Sequence, residues 1–144
     1  MMIKKIYNVK YYCLIMRKNI LNITINKPLE EVFEFTTNPK NTNLWISTII
    51  EEQADPYPPR IGTIYKNRGT SSEWDYYQVV EFEKNKTFTL CDTDHNYFVK
   101  YSYKKITETK AMMEYCEWVE KGELKKPFTK DVLQQLKEIM ENQK

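Results

Sequence analysis

The chain of 144 residues holds a single histidine, His95, inside the run DTDHN from Asp92 to Asn96. One histidine excludes a multi-histidine metal centre and an HExxH helix, and leaves at most one imidazole base. Asp92, Asp94 and Asn96 have the spacing that opens a calcium loop. The sixth position, however, is Tyr97 where the sharp turn needs glycine, and the twelfth is Tyr103 where a bidentate glutamate is needed. Aspartate and asparagine are ordinary turn residues because they hydrogen-bond locally, so the run reads as a polar hairpin turn and no metal site is expected. The glycines are Gly62, Gly69 and Gly122. They cannot build a GxSxG elbow, a P-loop or a GxGxxG turn, and no cofactor is expected.

Two kinds of side chain remain for chemistry. Cys13, Cys91 and Cys116 are odd in number and form no CxxC pair, which fits a reducing, cytoplasmic setting better than a disulfide framework. Cys91 is close to His95 in sequence, but a buried, inert thiol is the ordinary expectation. Among the carboxylates, Glu114 and Glu117 are the candidates for acid–base work. Whichever points inward is a carboxyl in apolar surroundings with its pKa raised, unless strand twist or a bulge turns both to solvent. Tyr101 joins them as a candidate catalytic residue.

The aromatic residues are the more informative set, since 14% of the chain is aromatic and eleven residues are tyrosine. Trp45, Tyr65, Trp74, Tyr76, Tyr101, Tyr103, Tyr115 and Phe128, with Met113 and Val132, are candidates to line a cavity in which the tyrosine hydroxyls and the Gln78 amide orient a mostly apolar ligand. Taken by themselves they read first as a solid core, because aromatic stripes commonly just pack.

These side chains need elements to position them. Leu21, Ile23 and Ile25 alternate with polar residues, the period of a half-buried strand. After Pro28 the period changes to that of a helix, with Leu29, Val32 and Phe33 on one face and Glu30 and Glu31 at the positive end of the dipole. Asn38-Pro39 breaks this helix, and a further helical turn or two leads to Trp45 and Ile46. The loop DPYPPR, Asp55 to Arg60, separates Ile49-Ile50 from the next strand. Five antiparallel strands then follow: Gly62 to Arg68, Glu73 to Glu83, Thr87 to Asp92, Tyr97 to Ile106 and Lys110 to Glu120.

The faces of these strands can be read from their alternation. Tyr97, Val99, Tyr101 and Tyr103 share one face. Trp74, Tyr76, Gln78, Val80 and Phe82 are expected to share an inward aromatic face, against Asp75, Tyr77, Val79, Glu81 and Glu83. In the last strand Ala111, Met113, Tyr115 and Val119 fall with Glu117, and Met112, Cys116 and Trp118 with Glu114 and Glu120; the first set is expected inward. PFTKDVLQQLKEIM closes the chain as an amphipathic helix whose stripe of Phe128, Val132, Leu133, Leu136, Ile139 and Met140 needs a surface to lie on.

Net charge is +2 and no block of like charges occurs, so no nucleic-acid partner is expected. The charge is uneven: residues 1 to 29 carry six Lys or Arg and no acid. The longest apolar run, YYCLIM from Tyr11 to Met16, falls far short of the roughly 18 residues of a membrane span. It is followed by Arg17-Lys18 rather than by a small-residue cleavage site, so no signal peptide is expected. Residues 1–15 are read as an N-terminal extension and residues 16–144 as one domain, an expectation that an intact Met1 in the mass of the native protein would overturn.

The order strand, two short helices, six strands, long helix defines an α+β domain with an antiparallel sheet. With INKPLEEVFEFTTNPKNTNLW, the RIGTIY strand after a proline-rich loop, the EKGEL turn and KDVLQQLKEIM, the chain resembles the START-like (SRPBCC, helix-grip, polyketide cyclase and dehydrase-like) superfamily over about residues 19 to 142. The resemblance implies a curved sheet in β-α-α-β6-α order wrapped around the C-terminal helix, enclosing a small hydrophobic ligand such as a lipid, isoprenoid, sterol or polyketide. It also admits a cofactor-independent cyclase, dehydratase or hydrolase-like enzyme, or a chaperone-activating interaction module. Fold alone does not choose among these.

Overall fold

The computed structural model describes residues 16–143; the expected extension, residues 1–15, lies outside the described residues. The first strand, β1 (Lys18–Ile25), buries alternate residues as its sequence period requires, ending in Ile25 with no exposure. Helix α1 (Leu29–Thr37) follows after two residues of bend and Pro28. Pro28 takes the cap position rather than the first helical one, with ψ at 146°, and its carbonyl accepts from Glu31 N and Val32 N. The helix buries Val32, Phe33 and Phe35 on one side and ends at Asn38. There the Asn38 side chain accepts from Lys40 N to start the single 3₁₀ turn Pro39–Asn41, which runs into the short helix α2 (Thr42–Trp45).

Six strands complete a seven-stranded antiparallel sheet: β2 (Glu51–Asp55), β3 (Ile64–Arg68), β4 (Asp75–Glu83), β5 (Thr87–Asp92), β6 (Tyr97–Thr107) and β7 (Lys110–Val119). They form a meander, and β1 returns to pair with β7, giving the order β1-β7-β6-β5-β4-β3-β2. The expected strands are all present. The sixth, β2, begins directly after Ile49-Ile50.

Two face assignments are decided by register. Strand β4 faces the opposite way from its sequence reading. Val79 is fully buried and Tyr77 packs against the core, whereas Tyr76 is 46% and Val80 40% exposed. A bulge between Val79 and Glu81 then shifts the alternation by one residue, so Phe82 returns to the core side. An unbroken period of two cannot describe such a strand, and the outward aromatic residues have their own occupation. Trp74 lies under Lys66 and Arg68, whose cationic groups stand 4.6 and 5.5 Å from its ring. Strand β7 has no bulge along its pairing with β1, so Ala111, Met113, Tyr115 and Glu117 all point inward, and Glu117 is 1% exposed.

Helix α3 (Lys130–Glu141) lays Leu133, Leu136 and Met140 into the core. Burying such side chains stabilises by about 1.5–3 kcal/mol each. Its far end is fastened to the end of β1: the Asn26 N–H donates to Glu141 Oε2 at 2.7 Å, and Lys137 Nζ donates to the Thr24 carbonyl at 2.7 Å. The result is the helix-grip arrangement expected from the order of elements.

Candidate functional site

Between the concave side of the sheet and α2 with the segment after it lies a partly open cavity of about 350 Å³, at the small end of the range for ligand sites. Its wall is aromatic because β3, β5, β6 and β7 each place a ring on the same side: Tyr65, Phe88, Tyr101 and Tyr115. These rings meet at their edges, with centroids 5.4 Å apart for Tyr65 and Phe88 and for Tyr101 and Tyr115. Trp45 of α2 stands edge-on to Tyr101 and Phe128 at 6.4 Å. Phe128 stacks on Tyr115 at 4.5 Å with the planes 4° apart. Val99 and Leu90 of the sheet, with Ile46 and Ile49 after α2, supply the aliphatic remainder.

Of the residues named from the sequence, Trp45, Tyr65, Tyr101, Tyr115 and Phe128 therefore line one hollow. Tyr103 and Met113 are buried beside it in the solid core, where the Tyr103 hydroxyl pairs with Thr36 Oγ1 at 2.7 Å. Val132 packs against the core from α3. No residue of α3 is among those lining the cavity, which sits at the N-terminal end of that helix rather than beneath its length. Trp74, Tyr76 and Gln78 stand on the far face of β4, and their place is taken by Tyr77 and Asp75. The sequence signal for Tyr77 was present in the alternate set of β4, and only the direction of the strand was undetermined.

The two candidate carboxylates part company. Glu114 belongs to the outer face, beside Lys100 and Trp118. Glu117 is buried, but its oxygens are engaged. Oε1 accepts from the Tyr97 hydroxyl at 2.8 Å, and Oε2 accepts from Asn19 Nδ2 at 3.0 Å and from the Phe128 N–H at 2.8 Å. Three donors hold this carboxylate as a junction between β1, β6 and the segment entering α3. Glu117 also lines a second hollow, open to solvent and rimmed by Arg17, Lys121, Lys125 and Lys126, which shares Asp75, Tyr77 and Tyr97 with the cavity.

Two carboxyls line the cavity, Asp75, which is exposed at its rim, and Glu52, which is half-buried. Strand β2 pairs it with Asn67 of β3. Asn67 Nδ2 donates to Oε2 at 3.1 Å, and the Thr42 hydroxyl of α2 donates to Oε1 at 2.6 Å. Burial pushes its pKa up, and those two hydrogen bonds oppose the rise without cancelling it. Glu52 was invisible in the sequence because EEQAD carries almost no apolar alternation; its one signal is its place two residues before the inward Ala54.

The tyrosine hydroxyls are held neutral. Burial raises Tyr77 to about 12, with Asp75, Asp92 and Glu52 adding to the effect. Burial likewise drives Tyr65, Tyr97, Tyr101 and Tyr115 upward. They serve as hydrogen-bond donors and acceptors, not as phenolates. The Tyr65 hydroxyl is used internally, donating to the Thr37 carbonyl at 2.6 Å.

Cys91 and His95 do approach, Sγ to Nδ1 at 3.5 Å. They lie on the outer side of β5, in register with Gln78 and Phe98. Burial raises the thiol, the reverse of what a nucleophile requires. No cluster of three or more metal-ligating side chains occurs among the described residues.

Comparison with protein-family models and with curated proteins finds no match. Solved structures do match. The protein XoxI of Bacillus cereus is 10% identical, with 88% of this chain aligned to 97% of that one at a TM-score of 0.69. The Aha1 dimer of Colwellia psychrerythraea is 13% identical over 88% of this chain and 98% of that one, at 0.64. The Polyketide_cyc-like protein Cgl2372 of Corynebacterium glutamicum is 21% identical over 72% and 66%, at 0.53. The chain shares the helix-grip fold with these structures. At these identities the likeness concerns architecture alone.

Proposed function

We propose that the protein binds a small, largely apolar molecule, of lipid, isoprenoid or polyketide-like character, in the cavity between the sheet, α2 and Phe128 of the segment leading into α3. One observation carries this reading. Rings from five neighbouring strands, β3 to β7, with Trp45 and Phe128, line about 350 Å³ of unfilled space. Interiors normally pack to crystal density, so a hollow of this size lined by side chains with polar tips has the character of a ligand site. A reducing, cytoplasmic setting accompanies the proposal, supported by the free, buried thiols of Cys91 and Cys116.

A second reading, a cofactor-independent cyclase, dehydratase or hydrolase-like catalyst, is favoured by Glu52, a carboxyl with raised pKa on the cavity wall. Glu117 supports it less, because its oxygens are committed to three structural donors.

Native mass spectrometry of the protein isolated from its own host, beside a Val99→Trp variant that fills the cavity, tests binding. The expected result is a non-covalent small-molecule adduct on the wild type that is lost in the variant. An adduct retained by a folded Val99→Trp protein would place the ligand elsewhere and remove the proposal.

A further inference from the structure

Of the residues lining the cavity only Thr48 and Asp75 are exposed, and they mark its open side. Asp75 also lines the solvent-open hollow, together with Tyr77 and Tyr97, whose rings meet edge-on with centroids 6.5 Å apart. The two spaces therefore adjoin along β4 and the start of β6, with the tyrosine pair in both walls. Beyond that pair the lining changes character. No lysine or arginine lines the cavity, whereas Arg17, Lys121, Lys125 and Lys126 border the hollow.

Three of these cations stand on one fastened loop. Lys121 N donates to Asn96 Oδ1 at 2.8 Å, and Asn96 Nδ2 donates to the Lys121 carbonyl at 3.1 Å. Further on, buried Leu124 donates its N–H to the Met16 carbonyl at 2.8 Å. Arg17 and the three lysines are exposed around these ties, and none of the four is in an ion pair among the described residues. The acids that share the hollow are Asp75, Glu117 and Glu123. Glu117 is 1% exposed and its oxygens are taken by Tyr97, Asn19 and Phe128. Four cations therefore face two exposed acids, and a cleft with an excess of one charge beside low-dielectric walls focuses its field on ions of the other sign.

We infer that the ligand is an anionic amphiphile, its apolar body in the aromatic cavity and its carboxylate or phosphate head in the hollow beside Lys121, Lys125 and Lys126, with Tyr77 and Tyr97 between the two. This rests on the binding proposed above and adds the head group. The tyrosine pair suits the boundary, since its rings continue the apolar wall and its hydroxyls are polar tips. With its pKa raised to about 12, the Tyr77 hydroxyl stays protonated and presents a donor, not a negative charge, to such a head.

Probes of one chain length test the inference by calorimetric titration at low ionic strength: decanoate, decyl phosphate, decan-1-ol and decyltrimethylammonium. The better of the two anions should bind wild-type protein about tenfold more tightly than the alcohol, a difference of about 1.4 kcal/mol, and its identity assigns the head as carboxylate or phosphate. The ammonium should bind most weakly, and added salt should shrink the anion's advantage. Lys121→Gln with Lys125→Gln and Lys126→Gln, which removes the charges of an exposed loop, should bring anion and alcohol to equal affinity. A variant of the same net charge, Lys40→Gln with Lys84→Gln and Lys104→Gln, whose lysines line neither space, should keep the preference. Its loss there as well would reduce the effect to overall charge and overturn the head-group site. Equal binding of anions and alcohol by the wild type would overturn that site too, while leaving the cavity reading in place. Inorganic phosphate bound as tightly as decyl phosphate would reveal an anion site unconnected with the cavity and overturn the shared ligand. Binding of none of the decyl probes would overturn the apolar-cavity reading itself.

Discussion

Glu52 shows how much a side chain's chemistry depends on who faces it. Four residues of its segment are acidic or amide-bearing, yet Glu52 alone turns toward the cavity while Glu51 reaches outward to Arg68 at 3.1 Å. Burial raises the Glu52 pKa, so the folded state holds its proton more tightly than the unfolded state. From the unfolded value of about 4.3 upward, the native protein then binds more protons than the denatured one, and stability falls as pH rises until Glu52 has ionised. Glu52→Gln removes this contribution. The difference in melting temperature, wild type minus variant, is expected to decline as pH is raised through this window and then to level off. A flat difference would show Glu52 to be an ordinary exposed carboxylate, and one that rises with pH would show its folded-state pKa to be lowered instead.

At the scale of elements, β4 carries the largest departure between pattern and fold. Both faces of DYYQVVEFE contain aromatic and aliphatic residues, so hydrophobicity alone does not orient it. Pairing with β3 and β5 does, since Tyr65, opposite Tyr77, points into the cavity. Tyr76 can therefore be removed at little cost, within about 0.5 kcal/mol, as is usual for exposed positions. Tyr77 cannot: Tyr77→Ala is expected to destabilise by about 3 kcal/mol, the scale of large-to-small core changes. Paired urea melts of the two variants check this. Similar costs for both would mean that the orientation of β4 is wrong.

On the scale of the whole molecule, Glu117 joins parts that are far apart in sequence. Its carboxylate holds Asn19 of β1, Tyr97 of β6 and the backbone of Phe128, the residue that carries the chain into α3 and closes one side of the cavity. Removing the acceptor takes the partner from the Phe128 N–H and from the Tyr97 hydroxyl, while Asn19 Nδ2 keeps its bond to the Phe128 carbonyl at 2.9 Å. Glu117→Ala should therefore lower stability by about 3 kcal/mol, which for a chain of this length is a fall of roughly 6 to 12 °C in melting temperature. Because the junction also positions Phe128, affinity for an apolar probe such as α-tetralone should fall with it. A variant that loses stability but binds the probe unchanged would separate the latch from the site.

Much of this architecture was legible from the chain by itself. The alternation of Leu21, Ile23 and Ile25, the proline-opened helix, the proline-rich loop, the tyrosine face of β6 and the stripe of α3 each carry a local period, and local period is what determines element type. The order of those elements then left few ways to bury their apolar faces, and the helix grip is one of them. Tertiary contact decided the rest. The orientation of β4, the inward turn of Glu117 and the appearance of Glu52 on the cavity wall all depend on which residue of a distant strand or helix lies opposite. Register and enclosure are non-local, and no period along one segment encodes them.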